Sequence, residues 1–146
     1  MLTLKQFLAE EVVISPVTRQ RPKMAAGGSD RARNMLASAL NNTDRGVKRL
    51  MAVSNGEVVG AISYYPGKSR WIIDRVGSLQ KGVGTLLMQE VISLARAKGA
   101  DQVVLWATDT SSSFYDRLGF IDAPDPSDPK AKHYKVLRLQ PESRAI

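Results

Sequence analysis

At 146 residues and 43% apolar composition, the chain has the size of one compact globular domain, expected over 1–146, that buries roughly two-thirds of its unfolded surface. It has no cysteine, which excludes disulfides, thiolate metal sites and a cysteine nucleophile. The formal charge of +7 is uneven: residues 1–49 hold nine Lys/Arg against four Asp/Glu, and residues 50–146 twelve against ten. The N-terminal excess suits an anionic partner, either nucleic acid or a phosphorylated cofactor, or serves solubility alone.

No run approaches the ~18 apolar residues of a membrane span, and Met1-Leu2-Thr3-Leu4-Lys5 lacks a basic start followed by a long apolar core. The expected location is cytoplasmic, with no membrane partner.

The first third reads as helical. Leu4 to Glu11 is a short candidate interrupted before Pro16, and Ser29 or Asp30 caps a helix through Leu40 that Asn41-Asn42 ends. Between them, Arg19-Gln20-Arg21-Pro22-Lys23 and Ala26-Gly27-Gly28 read as a mobile basic loop. Strands follow over Lys48 to Ser54 and Glu57 to Tyr65, joined by Asn55-Gly56, both of which tolerate the positive φ of a tight hairpin. Pro66-Gly67 closes the second strand, and a third from Arg70 to about Val76 completes an antiparallel meander.

Gly82 to Lys98 has helical periodicity, with Val83, Leu87, Val91 and Leu94 on one face, Thr85, Gln89, Ser93 and Arg96 on another, and Gly99 as the stop. Val103 to Ala107 reads as a buried strand. The order strand, glycine turn, helix, strand is therefore a βαβ unit with a parallel pair. A short helix over Ser111 to Leu118, a proline loop at Pro124, Pro126 and Pro129, and a last strand from His133 to Leu139 finish the reading.

A helix that starts at a glycine turn offers unpaired N–H groups and a positive dipole end to phosphate. At Gln80-Lys81-Gly82-Val83-Gly84-Thr85 the glycines permit close approach, Lys81 adds a cation and Thr85 a hydroxyl. A tight turn without a ligand is the plain alternative. A Walker loop is excluded because Val83 follows Gly82 where that motif needs lysine, and the dinucleotide fingerprint fails at its third glycine, which is Leu87. The second motif is Phe114-Tyr115-Asp116-Arg117-Leu118-Gly119-Phe120. Phe114, Leu118 and Phe120 read as core, and Tyr115 alone would admit the same reading.

Together, over roughly residues 47–120, the two motifs resemble the Gcn5-related N-acetyltransferase (GNAT) family. Its Gln/Arg-x-x-Gly-x-Gly/Ala segment falls on Leu79 to Gly84, matching at Gly82 and Gly84 and departing at Leu79. Its Phe-Tyr-x-x-x-Gly-Phe element matches at Phe114, Tyr115, Gly119 and Phe120.

The resemblance implies an α/β (α+β) fold: a mixed, mainly antiparallel sheet with one parallel pair splayed at the cofactor site, and helices on both faces. It implies acetyl-CoA as cosubstrate, with no metal, held at Val76, Gln80, Lys81, Gly82, Val83, Gly84 and Thr85. Transfer to an amine on a small molecule or protein would be direct. Tyr115 is implied as the proton donor to the CoA sulfur, and backbone groups from Asp74 to Gly77 would serve the oxyanion and pantetheine arm. Gly77 fits a bulge there. Asp74 is the candidate base, with an ion-paired surface carboxylate as the alternative.

His133 reads as solvent-facing rather than catalytic, so a triad with Ser111-Ser112-Ser113 is not expected. Two other functions stay open: acetylation of charged transfer RNA by a GNAT toxin, and a GNAT-like module that binds CoA or a protein without turnover. Oligomeric state is open, a dimer included.

Overall fold

The computed structural model describes residues 12–139. Its strands are β1 (Val12–Pro16), β2 (Lys48–Ser54), β3 (Glu57–Tyr65), β4 (Arg70–Ser78), β5 (Gln102–Trp106), β6 (Ile121–Asp122) and β7 (Tyr134–Arg138), and its helices are α1 (Asp30–Asn41), α2 (Val83–Ala97) and α3 (Ser112–Arg117). The strands hydrogen-bond in the order β1-β2-β3-β4-β5-β7-β6, with β4 and β5 parallel. The expected helix over Leu4 to Glu11 lies outside the described residues.

The chain divides into two compact units. The first holds residues up to Tyr64 together with Arg75–Gln89, and the second Tyr65–Asp74 with residues from Glu90 onward.

In the first unit, β1 corrects the all-helical expectation for the N-terminal third. Val12, Val13 and Ile14 are β-branched and pair antiparallel with β2, from Val12 opposite Ser54 to Pro16 opposite Leu50. The β2–β3 hairpin turns on Asn55 at φ 51° and Gly56 at φ 73°, as the Asn-Gly pair requires. Helix α1 begins at the expected cap, where the Ala32 N–H donates to Ser29 Oγ at 3.1 Å. Its last turn has no cation of its own. Arg49 of β2 supplies one, donating from Nη1 to the Leu40 carbonyl at 2.6 Å.

The face of α1 that buries Leu36, Ala39 and Leu40 packs with Met51, Val58 and Ala61. Gly77 of β4 makes this approach possible, because a Cβ there would stand 2.2 Å from the Leu36 nitrogen. Contact with α1 is thus what requires glycine at 77. The basic loop expected to be mobile is pinned: Val58 donates to the Lys23 carbonyl, Ala25 donates to the Val58 carbonyl, and Arg33 Nη1 holds the carbonyls of Ala25 and Gly27.

In the second unit, α2 ends in a Schellman motif: Gly99, at φ 81°, donates to the Arg96 carbonyl, and Ala100 to that of Ala95. β5 pairs antiparallel with β7 along its length, and β7 also pairs with the two-residue β6. Val104, Tyr134 and Val136 form a core cluster to which Ile72 and Ala123 add.

Candidate active site

The glycine turn lies in the first unit. Gln80, Lys81 and Gly82 are exposed, Gly84 and Thr85 half-buried, and Val83 buried as the first residue of α2. Gly82 has φ 88°, a conformation that penalises a Cβ, and no atom lies within 4 Å of where one would stand. The turn is closed by Val83 N–H to the Gln80 carbonyl at 3.3 Å and by Ser78 Oγ to the same carbonyl at 2.6 Å.

The first regular helical bond of α2 is Leu86 N–H to the Gly82 carbonyl. The N–H groups of Gly84 and Thr85 have no acceptor among the described residues, and Lys81 has no carboxylate partner among them. Two free donors, a helix N-terminus and an uncompensated ammonium make a cradle that fits a diphosphate, so the residues present suit the CoA cosubstrate. Val83 and Val76 differ from the rest: Val83 turns into the core and could contribute only its backbone, while Val76 is half-buried in β4. Leu79 departs from the family pattern because it packs against the α1 cluster, its Cδ2 sitting 2.6 Å from where a Cβ on Gly28 would stand.

Tyr115 lies in the second unit, on α3. The residue is 8% exposed, and its ring meets Phe114 and Phe120 edge-on at centroid distances of 5.0 and 5.9 Å. Of the three expected core residues, Phe120 is buried, whereas Phe114 and Leu118 are half-buried. Burial pushes the Tyr115 phenol up to about 12. Its hydroxyl makes no hydrogen bond to the described residues, yet no buried side-chain polar atom among them lacks a partner. At that raised pKa the phenol is protonated at neutral pH.

Behind that helix lies a group that no motif announces. Lys135 of β7 is fully buried, and its Nζ donates to Asp116 Oδ1 at 2.6 Å and Asp122 Oδ1 at 2.8 Å. Burial lowers its basicity, but the two carboxylate hydrogen bonds outweigh this and leave the ammonium above its usual pKa. The same hydrogen bond holds the Asp122 carboxyl below its usual range. The signal was available in the strand's alternation, which puts Lys135 on one face with the apolar Leu137.

Asp74 is half-buried in β4. The parallel register with β5 covers Arg70, Trp71 and Ile72 only, opposite Gln102, Val103 and Val104, while β4 runs on to Ser78. The pair therefore parts two residues before Asp74, in keeping with the expected splay. His133 is 30% exposed rather than fully solvent-facing, and its Nε2 meets Asp109 Oδ1 at 2.5 Å. The hydroxyl of Ser111 contacts Thr108 instead. Trp106, at the end of β5, is 45% exposed and donates to Asp125 Oδ2 at 2.7 Å. That bond, reinforced by the Ser127 N–H, lowers the Asp125 pKa.

A separate cavity of about 460 Å³ in the first unit is lined by Arg19, Arg21, Lys23, Met24, Leu40 and Asn41 among others, with no carboxylate among the described residues of its wall. Arg21 Nη2 donates there to Asn41 Oδ1, a neutral acceptor, at 2.6 Å. Among the described residues there is no group of acids or histidines that could hold a metal ion, and no helix long and apolar enough to cross a membrane.

An α/β sheet with a parting parallel pair and a phosphate-type helix start defines the class of protein. Residues 19–120 match the sequence profile of the Acetyltransferase (GNAT) family. The chain belongs to that family, a GNAT acetyltransferase by domain and fold. It matches no curated protein sequence.

Among solved structures, Tetrahymena GCN5 is similar at 13% identity and TM-score 0.67, covering 88% of this chain and 97% of its own. A GNAT acetyltransferase from Staphylococcus aureus Mu50 is similar at 16% identity and TM-score 0.62, with 88% and 99% coverage. A GNAT acetyltransferase from Elizabethkingia anophelis, with acetyl-CoA bound, is similar at 17% identity and TM-score 0.54, with 88% and 95% coverage.

Proposed function

We propose that the protein is an acetyl-CoA-dependent N-acetyltransferase that works as one domain and moves the acetyl group directly to an amine. The observation that carries this reading is the pair of unpartnered N–H groups at Gly84 and Thr85 beside Lys81, a cradle of the kind a CoA pyrophosphate needs. The acetyl-CoA bound to the Elizabethkingia relative supports the same cosubstrate.

In this reading Gln80 to Thr85 hold the phosphates, and backbone around Val76 faces the pantetheine arm. Asp74 takes a proton from the acceptor ammonium. The freed amine attacks the thioester carbonyl to form the C–N bond of a tetrahedral intermediate. As that collapses, the C–S bond breaks, Tyr115 gives its proton to the departing sulfur, and the proton the new amide nitrogen sheds returns through water to the tyrosinate. An alkyl amine with pKa near ~10 must lose a proton before attack, so a base is required. Tyr115 needs no activation to be a donor, since its proton is retained far above neutrality.

Release of CoA thiol tests this directly. The protein has no cysteine, so a thiol reagent reports CoA without background. Primary amines, amino acids and charged transfer RNA should be screened beside water alone. Acetyl-CoA binding without thiol release for any acceptor would leave the non-catalytic binding module; failure to bind acetyl-CoA would remove both readings.

The basic cavity favours one second reading, in which the acceptor is anionic and charged transfer RNA is the extreme case. Turnover with such an acceptor should fall steeply with salt, as expected when several phosphates are neutralised. Arg19→Glu and Arg21→Glu should raise its KM while leaving acetyl-CoA binding unchanged. Salt-independent turnover on neutral small amines would favour the first reading.

A further inference from the structure

We propose that Lys135 is a positioning residue for Tyr115, its buried ammonium tying down both ends of the segment that carries the chain from α3 into β6. This rests on the reading of Tyr115 as the proton donor to the CoA sulfur.

α3 is only six residues long, and its N-cap residue, Ser111, makes no side-chain cap bond. A helix of that length does not hold its own shape in water, so external contacts must fix where its side chains stand. Ring packing against Phe114 and Phe120 restrains the Tyr115 ring but attaches it only to residues of the same short segment. Lys135 supplies an anchor from outside. It lies in β7, a strand bonded along its length to β5, and it reaches Asp116, the residue next to Tyr115.

The same nitrogen reaches Asp122, which sits directly across the β6–β7 ladder from Lys135. Between these aspartates, Gly119 turns at φ 97°, and the Tyr115 carbonyl accepts from Leu118 and Phe120. The tyrosine carbonyl is thus bonded to two residues of a loop, Asp116 to Asp122, that one ammonium closes.

The chemistry of the cluster fits anchoring. Two carboxylates on one ammonium leave a net negative charge, and both carboxylates are more than half exposed, so water can balance it. The ammonium itself is fully enclosed, with no face open to a ligand. Charge-assisted bonds at these lengths are short and directional, the property needed to fix a phenol oxygen within the tolerance of proton transfer.

The test is a kinetic cycle on the full chain, reading CoA thiol release from acetyl-CoA with the fastest primary amine as acceptor and with water alone. The variants are Tyr115→Phe, Lys135→Met, Lys135→Arg and the double variant Tyr115→Phe/Lys135→Met. Lys135→Met should lower kcat about 10²-fold, the effect of a misplacement near ~1 Å, with the KM for acetyl-CoA nearly unchanged. Lys135→Arg, which can still reach both carboxylates, should recover most of the loss. The double variant should be no slower than Tyr115→Phe, because a donor that is absent cannot be misplaced.

Full kcat in Lys135→Met, or two defects that multiply in the double variant, would overturn the proposal. Should Lys135→Met fail to fold by circular dichroism, Asp122→Asn enters the same cycle, weakening one anchor from a charge-assisted to a neutral hydrogen bond while keeping the ammonium paired with Asp116. If Tyr115→Phe turns over at the unaltered rate, the donor reading itself fails and this inference falls with it. An impaired Tyr115→Phe beside an unimpaired Lys135→Met and Asp122→Asn sinks the positioning role alone.

Discussion

Cγ1 of Val83 lies 2.6 Å from the point where a Cβ on Gly60 would stand. The first residue of α2 therefore seats on a strand that has no side chain at that point, and this contact sets how the glycine turn meets the sheet. Leu87 Cδ1 at 3.1 Å and the Gly77 carbonyl at 3.2 Å close the remaining space.

Gly60→Ala should consequently act on both stability and cosubstrate binding. Val83 is β-branched and has few rotamers with which to retreat, so the added methyl moves the helix start. An overpacked core of this kind loses about 1–3 kcal/mol. Urea unfolding should show that loss, and the KM for acetyl-CoA should rise with a smaller change in kcat. A variant as stable as the parent, with unchanged KM, would show that the helix start is not set here.

Lys81→Gln removes the cation beside the two unpartnered N–H groups and leaves the turn's backbone alone. A hydrogen bond to a charged group contributes about 1.5–3 kcal/mol, so acetyl-CoA affinity should fall by roughly tenfold or more. The deficit should shrink as salt rises, since Lys81 is exposed and already screened in the parent. Calorimetric titration at two ionic strengths checks both statements. Gly82→Ala should weaken binding by another route, through the about 1–2 kcal/mol that a left-handed conformation costs a residue with a Cβ.

Tyr115→Phe should lower kcat by roughly 10²–10⁴ with acetyl-CoA binding preserved. The phenol also predicts an alkaline effect whose sign follows from its shift. Burial raises it from 10.0 to about 12, so the unfolded chain releases this proton first. Stability is complete below about pH 10 and is lost as pH rises toward about 12, by about 2–3 kcal/mol for a shift of this size. Tyr115→Phe lacks this component and should lose less stability across that interval. Equal alkaline losses in the two proteins would mean that the phenol is not buried in solution.

The hairpin, α1, α2 and the β5 strand were legible because each is declared locally, by Asn55-Gly56, the Ser29 cap, the Val83-to-Leu94 periodicity and the apolar run from Val103. The glycine turn was legible for the same reason. β1 was not, because its three β-branched residues form a strand only against β2, which lies some thirty residues away. Gly60 and Gly77 carry no local sign of their purpose either. Each is explained by a helix that arrives from elsewhere in the chain, α2 at Gly60 and α1 at Gly77. The alternation of β7 sets Lys135 on a face with Leu137, but what the ammonium does there shows only once Asp116 and Asp122 are placed around it.

Asp74→Asn tests the base. Asp74 lies just past the last parallel pair, Ile72 opposite Val104. If it takes the proton from the attacking ammonium, the variant should lose the acidic limb of its kcat/KM profile and fall by about 10²–10⁴ against an alkyl amine. An acceptor whose amine is already neutral at the assay pH does not need that base, so the variant should transfer to it at nearly the parental rate. That contrast separates a base from a structural carboxylate, because a damaged fold would slow both acceptors alike. An unchanged pH profile would return Asp74 to an ordinary ion-paired role and leave deprotonation to water.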